Sequence, residues 1–266
     1  MSIRHRSEAL FHTSIWSITG IYALLILLIL WAMFAYTSPS DCVQAMRQPE
    51  ILHSIYLSLV TSTLSAILSI WIAVPAGYVL ARTCFKGKAL IEILFDIPII
   101  LPPLVVGLGL LMLFQSDAGK LFQTHVFSVT YGVVAIVIAQ ATVACSFAVK
   151  TMKTAFEQSD PKAEQVAQTL GATRSQAFIR VALPEVRRGV LTAFTLAWAR
   201  SLGEFGPVLV FAGATRMKTE VLPTTIFLEL SVGNLEAAIA VSLLMVGMAC
   251  SILLISRLCL SPKEAR

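Results

Sequence analysis

Apolar residues along this chain gather into six runs, at about residues 15–36, 55–80, 91–114, 131–149, 189–212 and 237–258. With a rise of about 1.5 Å per residue, each run is long enough as a helix to cross a hydrocarbon core of about 30 Å. The first run is too long for a signal-peptide core, and no convincing small-x-small cleavage site closes it, so it is read as a span. Between the runs lies one long polar interval with helical periodicity, residues 160–184. Asp160 can accept from the free N–H groups of a first turn, and Pro161 suits the first helical position. Ala163, Val166, Ala167 and Leu170 then recur at i, i+3, i+4 and i+7, giving one apolar face. Gly171 stands where a left-handed stop is wanted. Thr173 and Gln176 have capping-box spacing, and Phe178, Val181 and Ala182 share a face of a second short helix. Pro184 is expected to bias Leu183 out of helical geometry. A helix this short is marginal alone in water, so the segment needs something to pack against.

Charge orients the runs. Arg4, Arg6, Arg82, Lys86, Lys88, Lys150, Lys153, Lys162, Arg174, Arg180, Arg187, Arg188, Arg257, Lys263 and Arg266 fall on one set of flanks. The opposite set holds only Arg47, Lys120, Arg216 and Lys218. The excess of Lys and Arg marks the cytoplasmic side, so both termini and the 160–184 segment are expected there. Composition agrees with a membrane protein: 57% of the 266 residues are hydrophobic and 13% charged, against about 45–50% and about 25% in soluble domains. The net charge of +5 therefore reads as a topology signal, and no RNA- or DNA-binding motif accompanies it. Of the cysteines, only Cys42 falls on the outer side, so no exported disulfide is available within the chain. His5, His12, His53 and His125 lack metal-site spacing. No G-x-x-x-x-G-K-[ST] loop is present.

Two runs carry features that a plain anchor does not need. The third contains Asp96-Ile-Pro98-Ile-Ile-Leu-Pro102-Pro103, where each proline removes a backbone donor. Such breaks are tolerated where a neighbouring helix or a cavity satisfies the freed carbonyls. Pathway lining and a packing kink are both consistent with this. Glu92 and Asp96 are expected near the cytoplasmic interface and are assigned no chemistry. In the fifth run, Arg200 lies about 16 Å in from the cytoplasmic end, near the midplane. Glu204 follows at i+4 and can pair with it. A lone charge there costs about 2.5–3.5 kcal/mol, and such residues are pathway candidates by default. A purely structural pair is the alternative. Gly203 and Gly206 permit close helix approach, and Pro207 frees the carbonyl of Gly203. After this run, Leu222, Ile226, Phe227 and Leu230 share a helical face, consistent with a re-entrant or interfacial helix or a plain outer loop. Asn234 is a sensible cap for the last span.

These motifs carry a family resemblance. Gly171, nine residues, Val181, one residue and Leu183-Pro184 resemble the EAA loop of ABC importer permeases. Gln165, Val166 and Ala167 stand where Glu, Ala, Ala are usual, with Glu164 one place early. Leu202-Gly203-Glu204-Phe205-Gly206-Pro207, Thr219 to Pro223 and Gly233 to Glu236 are similar to molybdate, tungstate and sulfate importer permeases. So is the Leu101-Pro102-Pro103 break. The resemblance covers nearly all of the chain from the second run onward. It implies an all-α membrane protein with the six-helix, type I ABC importer (MetI-like) permease fold. It divides the chain into residues 1–54 (tail, first helix and outer loop), a core at 55–258 with a coupling loop at 153–184, and a tail at 259–266.

The resemblance also implies function. Lys162, Ala163, Glu164, Gln165, Ala167, Leu170, Gly171, Ala172, Leu183 and Pro184 would couple to an ATPase. Pro102, Pro103, Arg200, Gly203, Glu204, Phe205 and Gly206 would line a pathway or gate. The implied machine has two copies of this chain, two ATP-binding cassette subunits and a periplasmic binding protein, in the lipid of a bacterial inner membrane. ATP and Mg would sit on the partner ATPase, with no cofactor on this chain and no reaction catalysed by it. The implied cargo is a tetrahedral oxyanion, molybdate or tungstate first and sulfate second; thiamine, ferric iron and phosphate are the alternatives within the fold. An ion-coupled secondary transporter usually shows paired broken helices in two repeated halves, and the breaks here have no matching flanks. A membrane enzyme would need a nucleophile-base or metal cluster at one level, which the histidine positions do not supply.

Overall fold

The computed structural model describes residues 2–38, 44 and 46–260, and every element among them is helical. Cys42 and residues 261–266 of the tail lie outside the described residues, as do the side chains of Arg4, Arg6 and Cys259. The chain runs through α1 (Ser2–Tyr36), α2 (Pro49–Arg82), α3 (Lys88–Ile100), α4 (Pro103–Gln115), α5 (Asp117–His125) and α6 (Val133–Gln158). Then come α7 (Pro161–Thr169), α8 (Arg174–Ala177), a π-helical turn (Phe178–Ala182) and α9 (Leu183–Glu185). The rest is α10 (Arg187–Leu202), α11 (Gly206–Phe211), α12 (Leu222–Ser231) and α13 (Leu235–Leu260).

The centre of the fold is the pair α2 and α6, with α10 laid against both. Small residues make that approach possible. Ala66, Ala73, Ala144, Ala148, Ala193 and Ala197 are fully buried there. A Cβ added at Gly77 would stand 2.7 Å from Met152 Cβ and within 2.9 Å of its backbone. In a bilayer, lipid tails are as apolar as the helices, so close packing and polar contacts must hold the bundle together. The polar contacts come from a stripe that hydrophobicity does not reveal. Ser54, Ser58, Thr61, Ser62, Ser65 and Ser69 of α2 are all buried. Several of these hydroxyls return to carbonyls one turn back, as Ser69 does to Ser65 (2.7 Å). Others cross the bundle. Ser65 Oγ lies 3.0 Å from Gln140 Oε1, and Ser58 Oγ accepts from the Leu222 amide (2.8 Å). Trp198 Nε1 donates to Thr63 Oγ1 (3.1 Å).

The spans differ from the six simple runs. Among the described residues, four helices are long and apolar enough to cross a membrane: Phe11–Tyr36, Pro49–Arg82, Val133–Gln158 and Leu235–Leu258. The third run is two helices, α3 and α4, bent by 112° at Leu101–Pro102. Counted as one broken span it makes five. Two consecutive prolines at 102 and 103 explain the break, since Pro103 begins α4 where its missing N–H costs nothing. The fifth run, read as a single span, is also interrupted: α10 ends at Leu202 and α11 starts at Gly206. Pro207 occupies the first turn of α11, which favours a new start over a kinked continuation.

Glu92 and Asp96 of α3 reach α6, pairing with Lys153 (2.7 Å) and Lys150 (3.6 Å). At the other end of the bundle α12 is a short helix, one of the two readings open for that stretch. Leu222, Pro223, Thr224 and Thr225 are buried. Asn234 caps α13, accepting from the Ala237 amide (3.3 Å). By contrast, α1 packs chiefly on α13, and none of its apolar window is buried.

Candidate functional site

The 160–184 segment folds largely by its local grammar. Asp160 Oδ1 accepts from the Lys162 amide (2.9 Å) with Pro161 opening α7. Gly171 adopts φ +95°, the left-handed stop. Thr173 and Gln176 form the reciprocal capping box: the Gln176 amide donates to Thr173 Oγ1 (3.2 Å) and the Thr173 amide to Gln176 Oε1 (2.9 Å). One expectation fails. Leu183 is helical, at φ −66° and ψ −44°. The turn before it is π-helical, and the Leu183 amide reaches back to Phe178 O. The wider turn moves the preceding carbonyls aside, so the Pro184 ring is admitted without leaving helical geometry.

The faces of α7 separate sharply. Val166 is 56% exposed and Leu170 83% exposed. Lys162, Ala163, Gln165 and Gly171 are exposed with them, as is Pro184; Ala167, Ala172 and Leu183 are half-buried. Glu164 alone on the helix turns inward. Its Oε1 accepts from Arg82 Nε (3.0 Å) and its Oε2 from the Tyr78 hydroxyl (2.7 Å). Arg82 also donates from Nη2 to Ser159 Oγ (2.7 Å) and to the Ser159 carbonyl (3.1 Å). The Tyr78 ring stacks edge-on against Phe156 (5.3 Å) and Phe178 (4.6 Å). Sequence reading gives Tyr78 and Ser159 no role, and Arg82 only one in orienting the chain.

Of the candidate pathway residues, Pro103 and Gly206 meet across the two broken runs. A Cβ on Gly206 would meet Pro103 Cβ at 2.9 Å, and one on Gly107 would meet Pro207 Cα at 2.7 Å. Thus α4 and α11, the halves that follow the two breaks, lie against each other with no room for side chains between them. Pro102 and Pro103 are exposed in the single chain. Arg200 and Glu204 pair at 2.5 Å although the helix has ended between them. The Glu204 side chain is 1% exposed and that of Arg200 29%, and the guanidinium stands 6.0 Å from the Phe147 ring centre. Gly203 ends α10, and the Phe205 ring packs on Phe227 (5.4 Å).

Beyond α11, Arg216 Nη2 donates to Glu229 Oε1 (2.6 Å) and Asn234 Nδ2 to Glu229 Oε2 (2.8 Å). Glu220 is fully buried beside them, and neither carboxylate oxygen has a hydrogen-bond partner. The hydroxyl of nearby Thr225 donates instead to the Val221 carbonyl (3.2 Å). Burial, and then Glu229 and Glu50, push the Glu220 carboxyl above its ordinary range; Thr225 and Arg216 oppose them. Among the described residues, no cluster of three or more His, Cys, Asp or Glu side chains is placed to hold a metal.

Known proteins resemble this chain along most of its length. The sulfate transport system permease protein CysT of Escherichia coli is 33% identical over 214 residues, covering 80% of this chain and 76% of CysT. The molybdenum transport system permease protein ModB of Mycobacterium tuberculosis is 35% identical over 208 residues, covering 77% and 78%. Among solved structures, a bacterial ABC transporter that imports the acidic polysaccharide alginate superposes with a TM-score of 0.74 over 98% of each chain, at 16% identity. The MetNI methionine ABC transporter superposes with a TM-score of 0.65 over 79% of this chain and 94% of that one, at 18% identity. Residues 73–263 match the family described as the binding-protein-dependent transport system inner membrane component, and the chain belongs to that family of ABC importer permeases.

Proposed function

We propose that this chain is the membrane-spanning subunit of an ATP-driven importer for a tetrahedral oxyanion, molybdate or tungstate first and sulfate second. The names of its relatives support the cargo. The observation that carries the mechanism is α7, a nine-residue helix with Val166 and Leu170 exposed and its opposite face anchored by Glu164. A short helix that exposes its apolar side in the aqueous phase calls for a protein groove to receive it. That groove belongs to a partner ATP-binding subunit, two of which serve two copies of this chain, with a periplasmic binding protein delivering cargo. The assembly sits in a bacterial inner membrane with both termini cytoplasmic. Six spans result if the α3–α4 and α10–α11 pairs each cross once.

In this mechanism, nucleotide closes the ATP-binding subunits and draws residues 162–171 of the two copies together. The bundle rocks, and the outer mouth opens. The oxyanion passes between copies near the breaks at 101–103 and 203–205. Arg200 offsets its negative charge transiently, and Glu204 keeps the arginine from holding it tightly.

Uptake of labelled molybdate, tungstate and sulfate by cells with and without the chain tests the reading. Loss of molybdate or tungstate uptake on deletion is expected, with ATPase activity absent from the purified chain alone. Unchanged uptake of all three anions would overturn the cargo. ATP hydrolysis by the lone chain would overturn the division of labour.

A further inference from the structure

We infer that Glu164, Arg82 and Tyr78 form the joint that makes the coupling helix α7 move as one body with α2, so that Glu164 serves inside this chain and not as a contact to the ATPase. The inference rests on the coupling reading of α7 and specifies how force leaves it.

An external push on α7 is useful only if α7 cannot swivel on the bundle. A nine-residue helix has little stability of its own. Its attachment must therefore come from contacts to the transmembrane body. The backbone on its N-terminal side supplies one tether, where the Asp160 amide donates to Glu185 (3.3 Å). The other is the Glu164 cluster. Both carboxylate oxygens are engaged, one by Arg82 and one by Tyr78, and the Arg82 and Glu164 side chains are 13% and 5% exposed. Arg82 simultaneously holds Ser159, the residue that joins α6 to α7. Tyr78 touches Phe156 at the end of α6 and Phe178 in the π-helical turn. Three side chains thus fasten α7 and the last turns of α2 and α6 to one another. The pair is screened little by water, and removing one member leaves an uncompensated charge in a largely buried place.

The same geometry assigns the outward contacts. Glu164 points away from the exposed side of α7, so a partner groove meets Val166, Leu170 and Lys162 instead. Loss of Glu164 should therefore spare ATPase binding and damage the transfer of work. Loss of Leu170 should do the reverse.

The test uses the full chain in lipid nanodiscs with its ATP-binding subunit and molybdate-loaded binding protein. In Glu164→Gln and Arg82→Ala, binding of the ATP-binding subunit should stay within about twofold of wild type, while molybdate moved per ATP hydrolysed falls at least about fivefold. The double exchange Arg82→Glu with Glu164→Arg should recover at least half of that ratio. A second reading is independent of yield. Spin labels at Thr83→Cys and Gln168→Cys, with native cysteines replaced by serine, flank the groove of about 620 Å³ beside the cluster. Their separation should stay fixed when nucleotide binds, and should broaden or shift in Glu164→Gln. Weaker ATPase binding in Glu164→Gln without rescue by the exchange would overturn the joint, as would an unchanged transport ratio. If the wild-type chain captures no ATP-binding subunit at all, the coupling reading itself has failed, a result distinct from either of these.

Discussion

Glu220 shows how one side chain can tie the α11–α12 end of this bundle to pH. Burial raises its carboxyl, so the folded chain holds the proton to a higher pH than the unfolded chain does. Its stabilising contribution is complete below the ordinary value of 4.5 and is lost as pH rises through the raised one. Over that window this segment should weaken by at most about 1.4 kcal/mol per pH unit. The hydrogen-exchange protection factors of residues 215–225 should fall as the medium becomes less acid, and Glu220→Gln should flatten that profile. A wild-type profile already flat across that window would refute the assignment. The residue scale is also where sequence reading reached least far. Glu164 was visible as an oddly placed acid, but its partners Tyr78 and Arg82 are 86 and 82 positions away. No local pattern records such a meeting. The buried hydroxyl stripe of α2 was hidden for another reason: serine and threonine are common in apolar helices, so their spacing alone does not mark a buried face.

At the scale of elements, local chemistry served well where elements are local. Asp160, Pro161, Gly171, Thr173 and Gln176 set the starts and stops of α7 and α8 with no help from tertiary structure. Leu183 escaped because a π-helical turn depends on what the surrounding helices tolerate. The end of α10 escaped because proline reads equally as a kink or a fresh start. Helix contacts are now specific enough to test. At Gly77 even a methyl group meets backbone atoms of α6 at 2.8 Å. Gly77→Val should therefore destabilise the α2–α6 pair by about 1–3 kcal/mol, the usual cost of overpacking. Thermal unfolding in detergent should move to lower temperature, and Gly109→Val, where no atom lies within 4 Å of an added Cβ, is the matched control.

For the whole molecule, the number of apolar runs and the helical fold class were plain from hydrophobicity, whereas the bend at 101–103 and the break at 203–205 were only partly so. Periodicity reports length and face, and a chain folding back on itself by 112° changes neither. The Arg200–Glu204 pair bridges the break between α10 and α11, and its role can be separated from its contribution to stability. Arg200→Ala alone leaves Glu204 buried without its counter-ion, and should cost about 3–5 kcal/mol. Arg200→Ala with Glu204→Gln should regain most of the folded yield. If the pair works in the pathway, the double variant should still import oxyanion poorly. Full import by a well-folded double variant would make the pair a structural one only.

The interruption between α10 and α11 also bears on how the chain is made. The stretch from Arg187 to Phe211 carries Arg187, Arg188, Arg200 and Glu204, and neither of its two helices is a candidate span by itself. An arginine near mid-bilayer costs a nascent helix about 2.5–3.5 kcal/mol when it leaves the translocon for lipid. Ribosomal order places α2 and α6 in the membrane first, and their small, hydroxyl-rich surfaces are the ones α10 lies against. Biogenesis of this late segment therefore relies on earlier helices as its solvent.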